Sequence, residues 1–127
     1  MTNLPDLHDG FFDGVWLSAD KGARFFVRTV TEERFTIALT GVEALNISGL
    51  RAGNIIFDLV LIPPDKLTLK HVEEAYALKI GEAEMSHRLL DKAQEQGLSG
   101  LEINSSYGAE GTVLFRAIDV VPKHVVT

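Results

Sequence analysis

The apolar residues of this chain change their spacing twice, from alternation to a helical repeat and back to alternation. A period of two lines up one face of a strand, and a period near 3.6 lines up one face of a helix. From Phe11 to Ile62 the pattern is mostly strand-like. Val15 and Leu17 alternate with Trp16 and Ser18, and Asp20-Lys21-Gly22 supplies turn chemistry. Phe25, Val27 and Thr29 point one way, Arg24, Phe26 and Arg28 the other. A second polar turn, Thr31-Glu32-Glu33, leads into Phe35, Ile37 and Leu39. Connections this short predict a three-stranded antiparallel meander.

Val42 to Ile47 fits either a helical turn or a short strand. Asn54 to Ile62 is apolar on both faces and rich in β-branched residues, which predicts a strand, and Pro63-Pro64 ends it. The spacing then turns helical. Thr68 is placed to cap a helix beginning at Leu69, with Val72, Ala75 and Tyr76 as its inner stripe. A second helix runs from about Glu82 to Gln96, with Ala83, Met85, Leu89, Leu90 and Ala93 on one face and Gly97 to stop it. Leu101 and Ile103 restore the alternation, a loop over residues 105–111 follows, and Thr112 to Val121 is the last strand. Strands are grouped rather than interleaved with helices. The expected class is α+β, one domain over residues 1–127, with a mostly antiparallel sheet of about six strands. That sheet is a meander closed into a barrel-like form or split into a sandwich, with a two-helix insertion near residues 68–97.

A chain of 127 residues can bury a core without staples. It has no cysteine, which excludes disulfides, thiolate metal sites and cysteine nucleophiles. The formal charge is −6, from 18 acids against 12 lysines and arginines, and no basic cluster interrupts it. Nucleic acid is therefore not an expected partner. Met1 to Asp6 has neither the basic start nor the apolar run of a signal peptide. The longest apolar stretch, Ile55 to Ile62, is broken by Asp58 and is too short to span a bilayer. These features predict a soluble cytoplasmic protein with no membrane partner.

His8-Asp9-Gly10-Phe11-Phe12-Asp13-Gly14 concentrates polar chemistry ahead of the first strand. His8, Asp9 and Asp13 are of types that bind zinc, manganese or iron. Adjacent side chains at 8 and 9 point apart in an extended chain, however, and a calcium-loop alignment fails at Phe11 and Asp20. Two Asp-Gly turns are the favoured reading, with Asp capping backbone donors and Gly at positive φ, and no metal. Asp58, set in an apolar strand, calls for a partner, and Arg28 or Arg116 across the sheet would serve. Asn104-Ser105-Ser106-Tyr107 is rich in amides and hydroxyls, as binding loops are. A serine nucleophile there would need a base and an orienting group, and no Gly-x-Ser-x-Gly elbow exists. No glycine-rich loop precedes a helix, so no cofactor is expected. Trp16 shares its alternation with Phe12 and Phe26 and is expected in the core. If that face were open, the three would form a patch for a partner.

Residues 8–14 together with Gly41-Val42-Glu43-Ala44-Leu45-Asn46, Gly53-Asn54-Ile55-Ile56-Phe57-Asp58 and Leu101-Glu102-Ile103-Asn104-Ser105-Ser106-Tyr107-Gly108 resemble a family of small bacterial proteins of unknown function. The His-Asp opening before a meander, with a Gly-Val step after the third strand, is similar to some bacterial toxin-immunity proteins. That second resemblance implies a protein-binding role. The expected function is a non-enzymatic binding module for a protein partner or a second copy of itself. The alternative is a small-ligand protein or enzyme with a polar site formed by residues 8–14 and 104–107. The candidate binding residues are His8, Asp9, Asp13, Trp16, Asn104, Ser105, Ser106 and Tyr107, and none is assigned a catalytic role.

Overall fold

The computed structural model describes residues 4–79 and 82–122, so the expectation drawn from Met1 to Asn3 lies outside the described residues. The strands are β1 (Phe11–Ser18), β2 (Gly22–Arg28), β3 (Arg34–Thr40), β4 (Ala44–Ser48), β5 (Asn54–Ile62), β6 (Ser99–Tyr107), β7 (Glu110–Phe115) and β8 (Ala117–Pro122). Helices α1 (Leu69–Ala75) and α2 (Ala83–Glu95) lie between β5 and β6 in the chain. The protein is α+β, with all eight strand segments antiparallel in the order β4-β7-β6-β5-β1-β2-β3-β8.

The two end segments continue inner strands. β3 runs on into β4 through a bend at residues 41–43, and β7 runs on into β8 at Arg116. The ladder crosses this bend: the Arg116 N–H donates to the Thr40 carbonyl at 3.0 Å, and the Glu43 N–H to the Leu114 carbonyl at 2.9 Å. The result is two four-stranded halves, β8-β3-β2-β1 and β5-β6-β7-β4. They join at this bend and again where Phe11 and Phe12 of β1 pair with Ile55 and Asn54 of β5. Strands that pass between sheets through bends form the corners of barrel-like sandwiches.

Between the halves lies the main core. Phe12, Phe25, Val27, Ile37 and Leu39 meet Ile56, Leu101, Ile103, Val113 and Phe115 there. Phe12 and Phe25 pack with ring centroids 5.6 Å apart. The helices cover the other side of the second half, where Ala44, Ile62 and Leu114 pack with Val72, Ala75, Ala93 and Leu98. The inner stripe expected of α1 is found, with Val72 and Ala75 buried and Tyr76 half-buried. At its start the Thr68 N–H donates to His71 Nδ1 at 3.0 Å. An N–H can only donate, so Nδ1 is the bare nitrogen, and the ring proton sits on Nε2, 2.7 Å from Glu102 Oε1.

Of the two readings open for Val42 to Ile47 the strand is the one found, as β4 from Ala44 onward. Several other expectations are corrected. Residues 105–107 belong to β6 rather than to a loop. The β6–β7 reversal tightens to Gly108-Ala109 because the Ala109 N–H is held by Asn54 Oδ1 at 3.0 Å. On α2, Ala83 and Met85 face solvent and Ser86 is buried, its hydroxyl held by Glu73 Oε2 at 3.0 Å and the Glu82 carbonyl at 3.1 Å. In the opening segment it is Asp9, not Gly10, that has positive φ, at 60°. Gly10 is needed for space, since a Cβ there would stand 2.4 Å from the Arg28 carbonyl oxygen. Asp13 occupies a bulge between Phe12 and Gly14 rather than a turn. The bulge reverses the phase of β1: Phe12 points into the core, and Trp16 points out, 51% exposed. Phe26 shares the outer face and is half-buried. Asp58 finds neither arginine. It accepts a hydrogen bond from Asn104 Nδ2 at 2.8 Å, while Arg28 is held by Asp13 and Glu32 and Arg116 donates to the Gln96 carbonyl.

Candidate functional site

β5 lies between the opening segment and the end of β6. The Asp9 N–H donates to the Ile56 carbonyl at 3.0 Å, and the Ile56 N–H to the Gly10 carbonyl at 2.9 Å. Arg28, Phe11, Ile55 and Tyr107 stand opposite one another in sequence across β2, β1, β5 and β6. Adjacent strands are ~4.8 Å apart, so Phe11 and Tyr107 backbones are separated by about 10 Å. The corner is locked from within by Asn54, which is 4% exposed. Its Nδ2 donates to the carbonyls of Phe12 at 3.1 Å and Arg51 at 2.7 Å, and its Oδ1 accepts the N–H groups of Arg51 and Ala109.

Outside this corner, aromatic rings and cations are stacked. The Arg28 guanidinium lies 4.5 Å from the Phe11 ring centroid and that of Arg51 lies 5.7 Å from Tyr107. His8 meets Phe57 edge-on at 5.3 Å. Phe57 and Tyr107 are each 50% exposed. Arg28 is forked onto Asp13, with Nε to Oδ2 at 2.6 Å and Nη2 to Oδ1 at 3.0 Å, and its Nη1 reaches Glu32 Oε2 at 2.9 Å. These hydrogen bonds from Asp13 and then Glu32 raise the Arg28 pKa above the usual arginine range. Arg51 has no carboxylate within ion-pair distance among the described residues. His8 Nδ1 donates to the Phe57 carbonyl at 2.9 Å, and Asp9 lies 3.6 Å from Nε2. The Phe57 carbonyl first, then Asp9, raise the His8 pKa above its ordinary value.

The structure thus gathers part of the nominated set. His8, Asp9 and Tyr107 lie at this corner, with Asp13 beside it holding Arg28. Ser106, between Ser105 and Tyr107, is exposed at the end of β6. Asn104 is turned to Asp58, and the Ser105 hydroxyl is taken by the Gly108 carbonyl at 3.3 Å. Trp16 lies apart, on the outer face of β1 beside Arg24. The two segments meet through β5 on an outer surface. Among the described residues no three histidines or acids are grouped so as to hold a metal. Arg51, Ile55 and Phe57 escaped the sequence reading. Phe57 is exposed only because β5 is irregular between Ile56 and Asp58, and nothing in the local pattern marks that.

A second feature is a groove at the edge of α1. The row Ile62, Gly100, Leu114, Ala44 is apolar or small and lies under the helices, whereas the neighbouring row Val60, Glu102, Thr112, Asn46 is mostly polar. α1 is pinned along that row: the buried Thr112 hydroxyl donates to Glu74 Oε2 at 2.9 Å, and Asn46 Nδ2 donates to the Glu74 carbonyl at 2.9 Å. A cavity of ≈ 360 Å³ opens there, lined in part by Lys70, Glu74, Glu102, Asn104 and Glu110.

Comparison with protein-family models, with curated proteins and with solved structures gave no match to this chain.

Proposed function

We propose that this protein is a recognition module that engages a protein partner through the face formed by Phe11, Ile55, Phe57 and Tyr107 with Arg28 and Arg51. The observation that carries the reading is the cross-strand row ending in Tyr107, flanked by two arginine–aromatic stacks. Aromatic and arginine side chains dominate the binding energy of protein interfaces. Here all but Arg51 sit on strands, so little backbone freedom is left to lose on binding. Arg28 is already neutralised by its acids, whereas Arg51 can offer donors to a partner. The likeness of the opening segment to toxin-immunity proteins points to the same class. A stable complex covers about 800 Å² on each side, so the partner must reach beyond these six residues. The test is a photo-crosslinking amino acid placed at Tyr107 or at Phe57, with Met85 on α2 as the control position, in the living host. Adducts of one defined mass from the first two positions support the reading, and equal labelling from position 85 sinks it.

A second reading rests on the groove beside α1, whose ≈ 360 Å³ falls within the range of small-molecule pockets. It takes a polar ligand, with the Glu74 and Glu102 carboxylates as acceptors. Glu102→Gln would then abolish binding of any ligand found by a thermal-shift screen, and retention of binding rejects the site.

A further inference from the structure

A separate cleft lies on the outer face of the first half. Trp16, Arg24, Ala38 and Asp119 stand in one cross-strand row on β1, β2, β3 and β8, and Ser18 faces Gly22 beside the β1–β2 turn. Gly22 and Ala38 carry little bulk. Between Trp16 and Arg24 on one side and Ser18, Asp20 and Thr40 on the other, they leave a cleft of ≈ 210 Å³.

The guanidinium of Arg24 lies 5.2 Å from the centroid of the Trp16 ring. Among the described residues it has no carboxylate within ion-pair distance, in contrast to Arg28 four residues along the same strand, which holds two. Stacking restrains the plane of a guanidinium while leaving its N–H edge free, and that edge matches the two oxygens of a carboxylate. Asp20, at the turn end of the cleft, accepts a hydrogen bond from the Ser18 hydroxyl and places its carboxylate there.

We propose that this cleft binds a small planar monocarboxylate. Its carboxylate forks onto Arg24, and its flat ring lies beside Trp16 over the floor made by Gly22 and Ala38. The volume is below that of pockets for drug-sized ligands, so the occupant is small. Asp20 repels a second negative group at the far end, so monoanions are preferred over dianions. The proposal is independent of the protein-recognition face.

Trp16 is the only tryptophan in the chain, so its fluorescence reports on this cleft without background. The probes are benzoate, benzyl alcohol as its uncharged counterpart and phthalate as a dianion. Benzoate gives a saturable change, benzyl alcohol none, and phthalate a weaker one. Arg24→Gln weakens benzoate by about tenfold or more, the size of one charge-assisted hydrogen-bonded contact. Ala38→Leu, which fills the floor without touching charge, abolishes the response. The proposal is overturned by no saturable response to benzoate, by an equal response to benzyl alcohol, or by Arg24→Gln titrating like the parent. Should either variant fail to fold, the comparison of benzoate with benzyl alcohol on the parent protein decides.

Discussion

The carboxamide of Asn54 and the carbonyl of Phe12 are joined by a 3.1 Å hydrogen bond across the corner where the two sheet halves meet. The same carboxamide satisfies Arg51 twice and Ala109 once, so one buried side chain ties β1, the turn before β5 and the β6–β7 reversal together. Asn54→Ala leaves buried donors and acceptors without partners. It should cost about 3 kcal/mol, given about 1–3 kcal/mol for each such group. Asn54→Asp should cost a similar amount, because a carboxylate cannot donate to the Phe12 and Arg51 carbonyls. Urea unfolding measures both. A loss below about 0.5 kcal/mol, typical of neutral surface changes, would show that the corner is held by something else.

Gly111 sets the distance between β7 and β4. A Cβ there would stand 2.0 Å from the Asn46 carbonyl oxygen and 2.8 Å from Ile47 Cα. Gly111→Ala must push β4 away and loosen the polar row that holds α1, at a cost of about 3 kcal/mol, the upper end for overpacking. Thermal unfolding with an unchanged midpoint would contradict that geometry.

His8 provides a pH signature at the recognition face. Its pKa is raised above 6.5 by the Phe57 carbonyl and then by Asp9. The protonated ring is therefore favoured in the folded state. Its contribution to stability is fully present below 6.5 and is lost as the pH rises through the folded-state value. An NMR titration should place the His8 midpoint above 6.5, and Asp9→Asn should lower it. A midpoint at or below 6.5 would mean that the ring is not held against Phe57.

At the start of α1, the donor role of the Thr68 N–H requires His71 to carry its proton on Nε2. Nitrogen chemical shifts of the His71 ring should show this tautomer. His71→Phe, which removes both the cap and the contact to Glu102, should destabilise the protein by about 1 kcal/mol, the usual worth of a helix cap. A ring protonated on Nδ1 would rule this arrangement out.

The elements themselves were legible in the sequence because period and punctuation are local. Alternation marked β2 and β3, Pro63-Pro64 marked the end of β5, and Thr68 marked the start of α1. What was lost depends on bulges and register. One extra residue at Asp13 reverses the phase of β1, so Phe12 and Trp16, four apart in the sequence, face opposite ways. The irregularity at Phe57 separates Ile56 from Asp58 in the same manner and leaves Asp58 beside Asn104 rather than an arginine. The site suffered for a related reason. Tyr107 and His8 were visible as unusual residues, but Phe11, Ile55 and Arg51 become part of a surface only once β5 is known to lie between β1 and β6.

The most direct test of the recognition face is an alanine scan of affinity against the partner identified by crosslinking from position 107. Tyr107→Ala and Phe57→Ala should each weaken binding by about tenfold or more, as interface hot spots do. Alanine at Met85, exposed on α2, should leave affinity unchanged. Full affinity in the Tyr107 and Phe57 variants, with a loss at Met85, would contradict the account.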